Sequence, residues 1–318
     1  MNRSFDFIKN KKYTFLFSGS ILLIGLILFI VRGGFKYGSD FQGGVQIQVD
    51  VGQKATINDI SKAFKSEKDV TTIGSNGQEF LIKTVSTKTL SGKEEIDQIA
   101  KTEIIEPLRK LYPKLDIKNR KMFSPTMGAA IKSQAVQVTI LILVLVLLYI
   151  GLRFQIKFGI AAIIALIHDL CIIMCFALFF NHEVDIQTIV ALLTIMGYSL
   201  NDTIIVFDRI RENKELMGSD NYVMVINKSI NQTLNRTLVT SLTTLIVVMC
   251  IYIFGGPALE SLSFSLIVGI VFGTYSSIYI ASPTLDIWEN YIDKRNAKKG
   301  KDRKVVPKKK KQQDKIEV

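Results

Sequence analysis

The chain has 318 residues, 48% of them hydrophobic, a mean hydropathy of +0.28 and a formal net charge of +12. That combination describes a membrane protein with basic extramembrane parts. It argues against a nucleic-acid binder, whose positive charge would sit on a folded polar domain with interleaved aromatics. Two histidines are too few for a His-rich metal site, and Cys171, Cys175 and Cys250 all lie in apolar runs. Disulfides are not expected there, and the CxxxC spacing reads as packing.

Six apolar segments are long enough to span a bilayer, which takes about 20 residues per helix. They are residues 13–31, 134–151, 158–180, 184–207, 238–254 and 262–282. No small-residue cleavage site follows the first, so it reads as a retained anchor rather than a signal peptide. Residues 1–12 form a short N-terminus, 32–133 a long polar segment between the first two spans, and 208–237 the longest of the remaining loops. The tail, residues 294–318, is too charged to fold alone and reads as a solvated, disordered extension. It is a candidate for contact with anionic lipid.

Lysine and arginine set the orientation. Arg3, Lys9, Lys11, Lys12, Arg153, Lys157, Arg209, Arg211, Lys214, Lys228 and the tail all fall on one side of a six-span protein. The opposite short loops, "NHEVD" and "GGPALE", carry neither lysine nor arginine. The positive-inside rule puts both termini in the cytoplasm and residues 32–133 outside.

The outward segment has its own pattern. "VQIQVDV" alternates as a strand, and "INDISKAFKSE" has helical spacing of Ile57, Ile60, Ala63 and Phe64. "VTTIG" and "EFLIKTV" flank the turn "SNGQ", a hairpin signal. A second helix follows in "KEEIDQIAKTEIIEPLRKLY", with Ile96, Ile99, Ile104, Leu108 and Leu111 on its apolar face, and "LDIKNRKMF" is a last strand. The expected fold is therefore an α-helical polytopic membrane protein with six transmembrane helices and one small α+β domain, ferredoxin-like (βαββαβ), between helices 1 and 2. That plan hosts many functions and implies none.

Polar groups inside the spans carry the functional signal. An Asp at a span centre costs about 2.5–3.5 kcal/mol on insertion scales, and such residues mark ion or proton paths. Asp202 shares a helical face with Ile195, Tyr198, Ser199, Val206 and Arg209, which makes Tyr198 and Ser199 candidate partners. A cap or solvated position near the span's end is the other reading. Arg236 enters the fifth span with Thr240, Thr243 and Thr244 after it, a stripe suited to a bundle interior. Snorkelling explains the arginine alone. His168 and Asp169 fall near the middle of the third span and fit either a proton relay or a static hydrogen bond between helices. The stripe of Gly269, Gly273, Ser276 and Ser277 on the sixth span reads as helix packing.

The motifs GxxxxGK[ST], GxGxxG after a strand, HExxH and GxSxG are all missing. The chain is not expected to be an enzyme or to hold a metal or cofactor. Its energy source would be the membrane gradient or a partner.

Several stretches resemble one family. "GYSLNDTIIVFDRIREN" (197–213), "NRTLVTSLTTL" (235–245) and "FGTYSSIYIASP" (272–283) resemble the fourth-, fifth- and sixth-span signatures of the SecF family. SecF proteins are the smaller subunits of the SecDF protein-export complex, of the resistance-nodulation-division type. "GSDFQGG", "HDL" and "FSPTMGAAI" fit further family motifs, with Gln42 and Phe123–Ser124 as departures. "SLND", "VFDRIREN" and one outward segment of this size favour SecF over SecD.

The resemblance implies a protein of the bacterial inner membrane that uses the proton-motive force to help pull exported chains outward. It also implies partners: SecD, the SecYEG channel, the SecA ATPase, YajC, YidC and the translocating polypeptide. The family's proton-path carboxylate and arginine fall on Asp202 and Arg236, with His168, Asp169, Tyr198 and Asn201 as accessory candidates. The alternatives are one half of a proton-coupled small-solute exporter, or a scaffold for SecD without its own proton path.

Overall fold

The computed structural model describes residues 5–64, 68–74, 76–85, 97–123, 125–217 and 221–303. Helix α1 (Lys11–Val31) is followed by a single turn, α2 (Ser39–Gln42). A small domain comes next: β1 (Gly44–Asp50), α3 (Ile57–Ser61), β2 (Asp69–Ile73), β3 (Glu79–Val85), α4 (Glu106–Leu111) and β4 (Asp116–Phe123). A π-helical turn, Ala100–Ile105, leads into α4. The remainder is helical: α5 (Pro125–Arg153), α6 (Ile156–Phe179), α7 (Ile186–Met217), α8 (Tyr222–Phe254), α9 (Glu260–Ser276) and α10 (Ser282–Arg303). The π-helical turn Ser277–Ala281 joins α9 to α10.

Among the described residues, six helices are long and apolar enough to cross a membrane, the sixth running continuously through Pro257–Ile292. Their burial differs and defines the bundle. In the most apolar stretches of α1 and α5 only 11% of residues are buried within the chain, against 56% in α6 and 61% in the sixth span. Thus α6 and α9 form the centre, while α1 and α5 present Leu23, Leu26, Leu148 and Leu152 outward, as lipid-facing helices should. Close approach depends on glycine, as Gly25 and Gly269 show. A Cβ on Gly25 would overlap the Cys175 sulfur, and one on Gly269 would overlap Ile195. The three cysteines are free; Cys175 packs against Gly25, whereas Cys171 and Cys250 are exposed rather than packed.

The small domain is an antiparallel sheet in the order β2-β3-β1-β4. Val45, Ile47 and Val49 alternate inward from β1 against Phe80, Ile82, Ile60, Ile104 and Leu108, all almost fully buried. Thr56 caps α3 through a reciprocal pair with Asp59. Leu111 and Ile57, placed on apolar faces by periodicity, are instead exposed at 55% and 45%, because they sit at helix ends where the face has turned to solvent. Residues 65–67, Ser75, 86–96 and 124 of this segment lie outside the described residues, and with them Ile96 and the start of the second helix.

Helices run further than the apolar runs alone suggest. α7 continues to Met217 and α8 begins at Tyr222, so most of the expected loop 208–237 is helix. These polar extensions pack on one another: Asn213 donates to Ser229 Oγ and Gln232 Oε1, each at 2.8 Å, and Arg209 Nε donates to Gln232 Oε1 at 2.7 Å. The last helix likewise reaches Arg303, into a tail expected to be unstructured from Lys294; residues 304–318 lie outside the described residues.

A clip joins the small domain to the bundle. The Gly38 N–H donates to the Val184 carbonyl (2.9 Å) and the Val184 N–H to the Lys36 carbonyl (2.8 Å). Asp185 caps α7, accepting from the Thr188 N–H at 2.8 Å while its own N–H reaches Thr188 Oγ1. Gly128, at the start of α5, lets the Phe41 backbone lie where a Cβ would be.

Candidate functional site

The polar residues inside the bundle form two clusters on either side of α7. The first is centred on His168 and Asp169 of α6, 7% and 1% exposed. Asp169 Oδ2 accepts from Ser199 Oγ of α7 (2.6 Å) and Ser276 Oγ of α9 (2.9 Å), and Oδ1 lies 3.0 Å from His168 Nδ1. His168 Nε2 is 3.1 Å from Ser18 Oγ of α1. Ser18 continues to the Tyr275 hydroxyl (3.3 Å), which donates to the Thr14 carbonyl (2.9 Å). Four helices are thereby tied through one carboxylate and one imidazole, and every group on this path has a partner. Networks satisfied in this way rigidify a core. Gly273 makes it possible, since a Cβ there would stand 3.1 Å from Ser199 Cβ and 3.7 Å from Asp169 Oδ2.

The second cluster lies between α7 and α8. Asp202 is 1% exposed, and its hydrogen bond among the described residues is a long one, from Ser241 Oγ at 3.3 Å. Thr274 Oγ1 of α9 donates to Ser241 Oγ at 2.7 Å. One turn from Ser241, the Thr237 hydroxyl is buried without a partner among the described residues. Asp202 is thus held more weakly than Asp169. The two clusters meet at Thr203, whose Oγ1 lies 2.8 Å from Ser277 Oγ; Ser277 also donates to the Ser199 carbonyl at 3.4 Å.

Several expectations change. Asp202 is not paired with Tyr198 or Ser199: Ser199 turns to Asp169, and the Tyr198 hydroxyl donates to the Thr240 carbonyl at 3.1 Å, with Thr244 Oγ1 3.3 Å away. Asp202 does not face Arg236 in an ion pair either. Arg236 is exposed, and no ion pair involves it among the described residues. Thr240 and Thr243 lie on the same exposed face, their hydroxyls turned back to carbonyls of their own helix. The inward stripe of α8 is the other one, Thr233, Thr237 and Ser241 at four-residue spacing. That spacing was visible in the sequence, but a helix with two polar stripes does not declare which one is inside. Asn201 is exposed as well. The Gly269, Gly273, Ser276 and Ser277 stripe packs on α7, as its composition suggests, but Ser276 and Ser277 also belong to the polar clusters.

A third group, at the clip, has no sequence signature. Glu183 pairs with Lys83 of β3 (3.0 Å) and Lys36 (3.2 Å), and Asp40 Oδ2 accepts from the Ile186 N–H at 3.3 Å. Burial works against the charges on Glu183 and Lys83, but their mutual attraction prevails. It holds the Glu183 carboxyl below its usual range and the Lys83 ammonium above its own. Burial pushes the Asp69 carboxyl up, and the adjacent Glu183 charge adds to this. Burial likewise raises Asp40. No group of three or more metal-ligating side chains occurs among the described residues.

Fold and site together define a polytopic membrane protein with buried ionisable groups at its helix contacts and a small sheet domain clipped to one end. Residues 103–291 match the family model for protein export membrane protein SecD/SecF, C-terminal. The chain is 35% identical to the protein translocase subunit SecF of Endomicrobium trichonymphae, over 91% of this chain and 93% of that one. It is 34% identical to the same subunit of Haemophilus influenzae, over 87% and 83%. The crystal structure of SecDF from Thermus thermophilus superposes with a TM-score of 0.73 at 32% identity, covering 91% of this chain but only 39% of that longer one. The chain belongs to the SecF family of protein translocase subunits. Membership gives it a role in protein translocation and makes it a multi-pass protein of the bacterial inner membrane.

Proposed function

We propose that the chain is the SecF half of a SecDF complex and that it uses the proton-motive force, through Asp202, to help draw exported polypeptides outward. One observation carries this reading: Asp202 is buried where α7 meets α8 and, among the described residues, has one long hydrogen bond, from Ser241, one turn of α8 from the unpartnered Thr237 hydroxyl. Moving one charge through 100 mV is worth about 2.3 kcal/mol. A hydrogen bond in water-equilibrated proteins nets about 0.5–1.5 kcal/mol. A proton arriving at or leaving Asp202 therefore carries enough free energy to switch the Asp202–Ser241–Thr274 contacts. It does not carry enough to dismantle the whole Asp169 network, which serves as the frame. In this scheme α8 shifts against α7 and α9, and His168 and Asp169 are an accessory relay only if water reaches them.

Arg236, Thr240 and Thr243 face outward from α8. A guanidinium and hydroxyls on a lipid-facing surface are costly, so this face belongs against another membrane subunit, SecD. SecYEG, SecA, the emerging polypeptide, YajC and YidC are further partners on this reading. Both termini lie in the cytoplasm with the basic ends of the helices, and the sheet domain lies outside. The order β2-β3-β1-β4 with helices after β1 and β3 supports reading that domain as ferredoxin-like. The chain works mechanically rather than as an enzyme.

The test is an export assay in membrane vesicles, with and without a proton gradient. Asp202→Asn, inserted and bound to SecD normally, should abolish the gradient-dependent part of export, whereas Arg236→Ala should weaken SecD binding. If Asp202→Asn retains that part in full, the proton role is wrong and a scaffold role for SecD replaces it.

A further inference from the structure

At the basic end of the bundle, a cleft of about 420 Å³ opens between the α5–α6 turn and the last turns of α7. Arg153, Lys157, Arg211 and Lys214 converge on it, with Glu215 as the acidic lining residue. Two of the cations are held from behind. Glu289 binds Lys157 Nζ at 2.7 Å and Lys214 Nζ at 2.8 Å, and both ammonium groups lie over the Tyr222 ring, at 5.4 and 4.9 Å. Arg211 Nε reaches Glu215 at 3.3 Å. Arg153 is exposed, and no ion pair involves it among the described residues. Four cations thus face two carboxylates. The cleft also receives the N-terminus of α6, a 24-residue helix whose cap residue, Gln155, makes no side-chain hydrogen bond and whose first turn has no acidic residue. That end adds the positive pole of a helix dipole and open backbone donors.

We propose that this cleft binds the phosphate of an anionic phospholipid headgroup. Guanidinium forks and ammonium groups around a helix N-terminus are the chemistry that recognises a phosphodiester. A basic pocket between membrane helices fits the head of an anionic lipid. Free phosphate would meet the same donors, but the surroundings favour a lipid. Leu148, Tyr149, Leu152 and Ile156, next to the cleft, are between 54% and 87% exposed and offer an apolar track for acyl chains. The ligand would bridge the α5–α6 turn to α7, whose other end carries the outer clip.

The full chain, purified in detergent, is titrated with phosphatidylglycerol, phosphatidylcholine or inorganic phosphate and read by native mass spectrometry. Phosphatidylglycerol should bind at least about tenfold more tightly than phosphatidylcholine, and Arg153→Gln with Arg211→Gln should weaken it about 25-fold. Lys54→Gln with Lys114→Gln, exposed on the small domain, should leave it unchanged. If the double variant is unstable, Arg153→Gln alone breaks no ion pair and should weaken binding about fivefold. Unaltered binding in Arg153→Gln, equal binding of phosphatidylcholine, or displacement of phosphatidylglycerol by inorganic phosphate would each overturn the assignment.

Discussion

Asp169 and Asp202, both buried in the bundle, have different surroundings, and on the proposed function the difference gives them different work. Asp169 has a hydrogen bond or close partner at each oxygen, from three other residues. A buried acceptor that loses its donor costs about 1–3 kcal/mol, so Ser276→Ala should lower stability by about that much in detergent melting. Gly273→Ala should cost about 1–3 kcal/mol by pressing on Ser199, with the same readout. Thr237 behaves oppositely. Its hydroxyl is buried and unpaired here, so Thr237→Val should leave melting unchanged or raise it while reducing gradient-dependent export. Thr237→Val export at wild-type level would remove that hydroxyl from the mechanism. Single residues such as Asp202, His168 and Asp169 stand out in sequence because a charge in an apolar run is conspicuous. Their partners do not: Ser18, Ser241 and Thr274 are ordinary residues in their own helices, and only packing brings them to a carboxylate.

At the scale of elements, the six spans were legible because burial in lipid demands long apolar runs, and the strand alternation of β1 was legible for the equivalent reason in a half-buried sheet. Helix ends were not. Polar residues beyond the apolar run stay helical when another extension supplies partners, as Asn213 and Gln232 show. The rotation of α8 was hidden by its two polar stripes. The clip was hidden because Lys36, Lys83 and Glu183 come from three separate segments. It gives a pH-dependent prediction. Glu183 is held below its ordinary range, so its contribution is present above that range and lost as pH falls through it; Lys83 is raised, so its contribution persists until pH rises beyond its ordinary value. Asp69, raised, acts in the opposite sense to Glu183. The Glu183 contribution is therefore full at neutral pH and lost in acid, while Asp69 and Asp40, both raised, work the other way. Glu183→Gln should cost on the order of 1 kcal/mol, increase hydrogen exchange in β3 at pH 7, and remove most of the acid effect. Equal exchange in the variant and the parent would show that the clip does not hold the domain.

For the whole molecule, α6, α7 and α9 form the buried centre and α8 lies at the periphery, with Arg236 on its outward face. A double-mutant cycle on Asp202→Asn and Arg236→Ala, read by melting of the isolated chain, should show coupling below about 0.5 kcal/mol. A larger value would mean a direct contact that this conformation lacks. The most direct test of the account is proton entry itself, measured as gradient-driven influx into vesicles holding the chain with its SecD partner. Influx should fall to the protein-free background in Asp202→Asn. Influx equal to the parent's in that variant would contradict the assignment of Asp202 as the switched charge.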